Sequence, residues 1–225
     1  YKMTNDINIE TVGIIGAGQM GNGIAQNCAV SGYKVIIFDI DPIQLNKATN
    51  TIEKNLEKQL TRKKISEEDY KNSIEKIKTT QSIQKLNESQ LIIEAATEDE
   101  NTKKKIFSEL CPHLDKNTIL CTNTSSISIT RLASQTDRPN QFMGLHFMNP
   151  VPLMNLVELV RGIATSDETY QTLEDFVVKL GKSSSVSEDF PGFIVNRVLM
   201  PMINEAIYSL YEGVGDVENI DRSMR

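Results

Sequence analysis

The sequence predicts an α/β fold with a mainly parallel sheet, and three observations carry that expectation. Short apolar runs alternate with helix-sized segments over about the first 160 residues, the runs are apolar almost throughout, and a glycine-rich turn joins the first run to a helix. The runs are Thr11 to Ile15, Lys34 to Phe38, Leu91 to Ala95, Ile119 to Cys121, Phe142 to His146 and Leu156 to Val160. Unbroken apolar character suits strands buried on both faces. Helices between such strands place the sheet in the middle of a layered domain.

Taken in order, Thr11 to Asp39 reads as one βαβ unit. Pro42 opens the next helix at its first turn, and Leu45, Ala48, Ile52, Leu56 and Leu60 share one face of it. From Thr51 to Lys78, 14 of 28 residues are charged, eight basic and six acidic, which predicts an exposed helical hairpin projecting from the sheet. The pattern breaks at Glu188-Asp189-Phe190-Pro191-Gly192. Beyond it, Phe193 to Tyr211 reads as a long helix with Ile194, Val198, Met202, Ala206 and Leu210 near one face, ended by Gly213. No strand is expected after it. A sheet domain is therefore assigned to residues 1–187 and the start of an all-α C-terminal domain to residues 188–225, incomplete because Arg225 lies inside a charged helical pattern.

Composition excludes several classes. A chain of 225 residues holds one sizeable domain and part of a second, which argues against a disulfide mini-protein or an unfolded chain. Apolar residues make up 39% and no run approaches the roughly 18 needed to span a membrane. Lys+Arg 24 against Asp+Glu 30 leaves a net charge of -6, so no overall field draws nucleic acid or an anionic membrane. An anionic ligand needs a local feature. Cys28, Cys111 and Cys121 contain no C-x-x-C pair, which speaks against disulfides and against a metal site. Tyr1 and Lys2 ahead of Met3 read as a remnant, and no secretory signal pattern follows, so a cytoplasmic protein is expected.

The glycine turn is Gly16-Ala17-Gly18-Gln19-Met20-Gly21, entered from Val12-Gly13-Ile14-Ile15. Gly16 permits the tight turn, Gly18 lets a pyrophosphate approach the backbone, and Gly21 lets the helix pack on the strand. The helix N-terminus then presents unpaired N–H groups to phosphate. Alone the motif also fits FAD sites. Asp39 ends the second strand 18 residues after Gly21, where a carboxylate accepts ribose hydroxyls and repels a 2′-phosphate. A Rossmann-type domain binding NAD rather than NADP is the expectation.

Of the two histidines, His113 sits beside Pro112 late in a helix and reads as structural, whereas His146 ends an apolar strand at the edge where ligands bind. Twelve residues on, Glu158 interrupts Leu156-Val157-Glu158-Leu159-Val160, and an acid inside an apolar strand needs a partner. Paired, the two would form a general base with a fixed tautomer; unpaired, they are two unrelated polar residues. Asn123-Thr124-Ser125-Ser126 follows another strand and also fits a helix N-cap. Asn196 lies early in an apolar helix and also fits an interhelical hydrogen bond. Cys121 lies among apolar neighbours and reads as a packing residue. Lys54, Lys58 and Arg62 form a basic stripe suited to phosphates or to a solvated face.

Together the segments GAGQMGNGIA, IIEAATED, TNTSSISIT, GLHFMNPVPLMNLVELVRG and PGFIVNR, running in order between Gly13 and about Met224, resemble the L-3-hydroxyacyl-CoA dehydrogenases, most closely the bacterial 3-hydroxybutyryl-CoA dehydrogenase branch. That resemblance implies an NAD-dependent oxidoreductase interconverting (S)-3-hydroxyacyl-CoA, of short chain, and 3-oxoacyl-CoA. It implies that Gly16, Ala17, Gly18, Gln19, Met20, Gly21 and Asp39 hold NAD. Glu98 and Lys103 would contact its ribose and phosphates, Asn149 would lie near its nicotinamide end, and Ser125 would also bind the cofactor. Lys54 and Lys58 would bind coenzyme A. Ser125, His146, Glu158 and Asn196 match the catalytic set, with His146 as general acid/base and Ser125 and Asn196 on the substrate oxygens. Met148 departs from the family's usual aromatic residue, and Ser183-Ser184-Ser185 from a stretch that usually contains Pro. Family members continue further and form homodimers, which the full-length protein is expected to share. The alternatives are a non-catalytic dinucleotide-binding protein on the same fold and, less well matched, a β-hydroxyacid dehydrogenase with a catalytic lysine.

Overall fold

The computed structural model describes residues 8–225. Its first βαβ unit is β1 (Thr11–Ile15), α1 (Gln19–Val30) and β2 (Lys34–Phe38), followed by α2 (Pro42–Thr61), α3 (Glu67–Glu75) and β3 (Ile77–Thr80). Then come β4 (Leu91–Glu94), α4 (Glu100–Leu110), β5 (Ile119–Thr122), α5 (Ile129–Ala133), β6 (Phe142–Phe147) and β7 (Leu156–Arg161). The chain continues through α6 (Asp167–Lys179), β8 (Ser183–Glu188), α7 (Val195–Tyr211) and α8 (Val217–Ser223).

All eight strands form one sheet in the order β3-β2-β1-β4-β5-β6-β7-β8. The first six run parallel, β7 is antiparallel to β6, and β8 is parallel to β7. The order 3-2-1-4-5-6 is the doubly wound arrangement, whose connections reverse direction between β1 and β4 and open a crevice at the carboxyl ends of the strands. The unbroken apolar runs follow from this layering. Val12, Ile14, Val35, Ile37, Leu91 and Ile93 enter one core, while Ile15, Ile36, Phe38 and Ile92 enter the other. Alternate residues of a strand point to opposite faces, so both sets must be apolar.

Three features depart from the sequence expectation. The charged excursion is a hairpin of α2 and α3, but Ile52 and Leu56 within it are buried in the first core, and its last residues enter edge strand β3. Strand β8, Ser-Ser-Ser-Val-Ser-Glu, was too polar to be expected; it pairs with β7 along one side only. Helix α7 begins at Val195 instead of Phe193, because Gly192 and Phe193 take left-handed φ values of 79° and 50°. Its apolar side chains Val198, Met202 and Leu210 stay exposed among the described residues. No helix there is long and apolar enough to cross a membrane.

Candidate active site

The glycine turn lies at the carboxyl end of β1. Gly16 has φ +98°, and a Cβ on it would meet Ala96 Cα at 2.5 Å; one on Gly21 would meet Gly16 O at 1.8 Å. These two positions admit only glycine. A Cβ on Gly18 would meet nothing within 4 Å, so that residue borders open space. Gly18 is also the N-cap of α1 and has no side chain to satisfy the helix's first amides. Those amides and the macrodipole behind them suit a pyrophosphate. Asp39, ending β2, accepts from Ala17 N at 2.8 Å through Oδ2 and from Asp41 N at 2.9 Å through Oδ1. The carboxylate thus fixes the turn and stands at its rim. Open space, free amides and an adjacent carboxylate fit NAD.

The register of β6 and β7 sets His146 directly opposite Glu158. His146 Nδ1 is 2.7 Å from Glu158 Oε2, and Nε2 is 3.0 Å from Ser125 Oγ. The second carboxylate oxygen, Oε1, accepts from Ile194 N at 3.0 Å and Val195 N at 2.9 Å. Helix α7 has no side-chain cap of its own, so a glutamate of the sheet takes that role. Glu158 is fully buried and His146 nearly so. Burial alone would push the Glu158 carboxyl up, but the His146 hydrogen bond, the Val195 N–H, the imidazole charge and the Ile194 N–H outweigh it and hold the group below its ordinary value. An ionised Glu158 only accepts, so Nδ1 carries the proton and Nε2 is the ring atom turned to Ser125 Oγ.

The serine is held by a residue whose role the sequence concealed. Glu98 Oε1 accepts from Thr124 Oγ1 at 2.7 Å, from Ser125 N at 2.9 Å, and from Ser126 N and Oγ at 3.1 Å. Asn123 Oδ1 accepts from Phe147 N at 2.9 Å, tying this turn to the strand of His146. Asn196, on the first turn of α7, reaches Ser125 O with its Nδ2 at 3.5 Å. Asn149 Oδ1 accepts from Gln19 Nε2 at 3.0 Å, which joins the loop after β6 to the glycine helix. The structure therefore gathers Ser125, His146, Glu158 and Asn196 into one cluster, and Asn149, three residues after His146, reaches the glycine helix.

Lys103 does not stand where a cofactor contact was expected. Its side chain is fully buried and paired with Glu94, which also accepts from Thr122 Oγ1 at 2.7 Å and Ala96 N at 2.8 Å. A lysine drawn inward by a buried carboxylate cannot touch ribose or phosphate from where it stands. Cys121 is buried as expected, and burial raises its thiol well above the ordinary value. His113 lies exposed on a turn of Cys111–His113, away from the site.

A cavity of about 320 Å³ is lined by the Ala17-Gly18-Gln19 turn, Asn55 and Asn149 to Pro152. A second, of about 420 Å³, shares Asn55, Pro150 and Pro152 with it and adds Lys58, Arg62 and Lys64. Lys54 lines neither. A larger cavity, about 640 Å³, lies among Asn87, Gln90, Asp115, Asn140 and Glu168 and is lined by none of the expected site residues.

Comparison with known proteins identifies the family. The family described as 3-hydroxyacyl-CoA dehydrogenase, NAD binding domain, matches residues 11–190, and that described as 3-hydroxyacyl-CoA dehydrogenase, C-terminal domain, matches residues 192–225. A 3-hydroxybutyryl-CoA dehydrogenase of Bradyrhizobium diazoefficiens is 54% identical over 217 residues, which cover 96% of this chain and 74% of the relative. A 3-hydroxyadipyl-CoA dehydrogenase of Escherichia coli is 40% identical over 97% of this chain and 46% of its own length. The crystal structure of (S)-3-hydroxybutyryl-CoA dehydrogenase from Ralstonia eutropha matches with a TM-score of 0.93 at 45% identity, covering 96% of this chain and 77% of that one. Matched along nearly its whole length and closely similar to a solved member, the chain belongs to the 3-hydroxyacyl-CoA dehydrogenase family, with NAD as its cofactor.

Proposed function

We propose that the chain interconverts (S)-3-hydroxyacyl-CoA of short acyl length and 3-oxoacyl-CoA, with His146 as general acid and base. The observation that carries this reading is the unbroken relay from Ser125 Oγ through His146 to Glu158 and the α7 amides. NAD supplies the hydride acceptor for C3 of the hydroxyacyl group, and NADH the donor in the reverse direction. His146 takes the 3-hydroxyl proton at Nε2 during oxidation and returns it to the carbonyl oxygen during reduction. Glu158 keeps Nδ1 protonated and stabilises the imidazolium that forms. Ser125 Oγ and Asn196 Nδ2 orient the substrate oxygens, and Glu98 holds the serine turn in place.

Gly16 to Gly21 and Asp39 hold the dinucleotide in this reading. Coenzyme A lies along α2, where Lys58 has stronger support than Lys54, because Lys58 shares its cavity with Arg62 and Lys64. Residues 1–187 act as the NAD-binding domain and residues 188–225 as the start of a substrate and dimerisation domain. The exposed apolar face of α7 supports a homodimer, the net charge of -6 speaks against nucleic-acid partners, and the free cysteines Cys28, Cys111 and Cys121 suit a reducing, cytoplasmic setting.

The test follows NADH absorbance on adding acetoacetyl-CoA. The unaltered protein consumes NADH, and His146→Ala stops consumption while retaining NADH binding by titration. An unchanged rate in His146→Ala removes the histidine from its role. NADH binding without any turnover by the unaltered protein favours the non-catalytic alternative.

A further inference from the structure

Gly192 and Phe193 adopt left-handed backbone in succession immediately before α7. Glycine does so freely, whereas phenylalanine is strained there, and such strain persists only where the surroundings over-determine it. The surroundings do so here. Phe193 N donates to Phe190 O at 2.9 Å, and Arg197 N donates to Gly192 O at 3.1 Å. The Phe193 ring is buried in the core cluster that contains Ile127, Ile129 and Leu132. It also meets the His146 imidazole edgewise, with centroids 5.8 Å apart and planes at 64°. The two residues that follow converge their N–H groups on Glu158 Oε1. One elbow therefore touches both members of the pair, its backbone serving the carboxylate and its ring the imidazole.

We propose that Phe193 is a positioning residue for proton transfer: its left-handed backbone aims the α7 amides at Glu158, and its ring closes the imidazole–carboxylate contact to water. The inference rests on the role given to His146 above. Water admitted beside the ring competes with Glu158 for Nδ1 and lets the imidazole turn, so Nε2 faces the substrate oxygen less often. A purely structural anchor would behave differently: its loss would lower stability without changing how the imidazole proton exchanges.

The experiment uses the protein labelled with nitrogen-15 histidine. Only two histidines are present, so the His146 signal is identified by its disappearance in His146→Ala. Phe193→Gly relieves the backbone and removes the ring, and Phe193→Leu keeps apolar bulk without an aromatic edge. In Phe193→Gly, solvent exchange of the His146 Nδ1 proton should quicken by about tenfold or more and kcat should fall by about tenfold or more, with KM for NADH within about twofold of the unaltered protein. Phe193→Leu should fall between the two. Exchange and kcat within about twofold of the unaltered protein in Phe193→Gly overturn the inference, and Phe193→Leu decides by the same measures if Phe193→Gly does not fold. Full activity in His146→Ala defeats the reading of His146 instead, and proton exchange still decides whether Phe193 shields the pair.

Discussion

Nδ1 of His146 lies 2.7 Å from Oε2 of Glu158, and the two residues face each other in register on adjacent antiparallel strands. Sheet hydrogen bonds, not a loop, set that distance, so the imidazole is oriented before substrate arrives. Glu158→Gln preserves the shape and removes the charge. We expect kcat to fall by about 10²- to 10⁴-fold with NADH affinity preserved. If His146 is the acid and base, oxidation needs Nε2 free of its proton and reduction needs it protonated, so the oxidation rate should rise with pH while the reduction rate falls. Parallel pH profiles in the two directions would count against His146 as the acid and base.

Two glycines of the same turn should respond in opposite ways. Gly18 has φ -66° and ψ -171°, which any residue adopts, and an added Cβ meets no neighbour within 4 Å. Gly18→Ala should therefore leave unfolding free energy within about 0.5 kcal/mol, since it lies clear of packing. If the pyrophosphate lies against Gly18 as proposed, the added methyl intrudes on it and NADH affinity should drop by about tenfold, or ~1.4 kcal/mol. Gly21→Ala puts its Cβ 1.8 Å from Gly16 O and should disrupt the fold itself. Undiminished NADH affinity in Gly18→Ala, measured by titration, would place the phosphates elsewhere.

Glu94 and Lys103 form a buried pair beneath the same crevice. Lys103→Met leaves the Glu94 charge with only Thr122 Oγ1 and Ala96 N as partners, which should cost about 3–5 kcal/mol of stability. Combining it with Glu94→Gln should recover part of that loss, as expected for two groups coupled directly. Urea unfolding of the single and double variants checks this. A Lys103→Met protein of normal stability but weak NADH binding would restore the lysine to direct ligand contact.

The readable and hidden parts of the molecule differ in what they bury. Strands β1, β2, β4 and β5 carry apolar residues toward both cores and stand out of the sequence for that reason. Edge strands β3 and β8 need little burial, and Ser183 to Ser185 give no apolar signal at all. In the site, His146 was visible because it ends an apolar strand at the carboxyl edge of the sheet, and Glu158 because an acid inside an apolar strand requires a partner. Their pairing depended on the register across the turn between β6 and β7, which spacing alone did not determine. The same signal existed for Lys103: Glu94, an acid in the Leu91 to Ala95 run, demands a buried cation. Glu98 gave none, since an exposed carboxylate at a helix entrance reads like any surface acid, and the left-handed turn at Phe193 contradicts the habit of its residue type.

Asp189 ties α5 to the segment that leads into α7. Its half-buried carboxylate accepts from Ser128 Oγ at 2.7 Å, Ile129 N at 2.9 Å and Thr130 N at 2.8 Å, capping α5 from the far side of the chain. Burial pushes this carboxyl up, but the Ser128 hydroxyl and the Thr130 and Ile129 N–H groups outweigh it and hold it below its ordinary value. A depressed folded value stabilises the protein above the unfolded value, about 3.9 for aspartate, and the contribution disappears as pH falls through the folded value. Asp189→Asn should therefore cost about 1 kcal/mol at pH near 7, typical of a lost helix cap moderated by solvent. Urea unfolding should show that gap closing below pH of about 4, where the unaltered carboxyl becomes neutral as well. A gap that widens on acidification would reverse the sign and show that Asp189 is not held ionised. The variant should also lower kcat. Asp189 precedes Phe193 by four residues and its partners follow Ser125 by three to five, so the bond it loses is one that keeps the two sides of the site together.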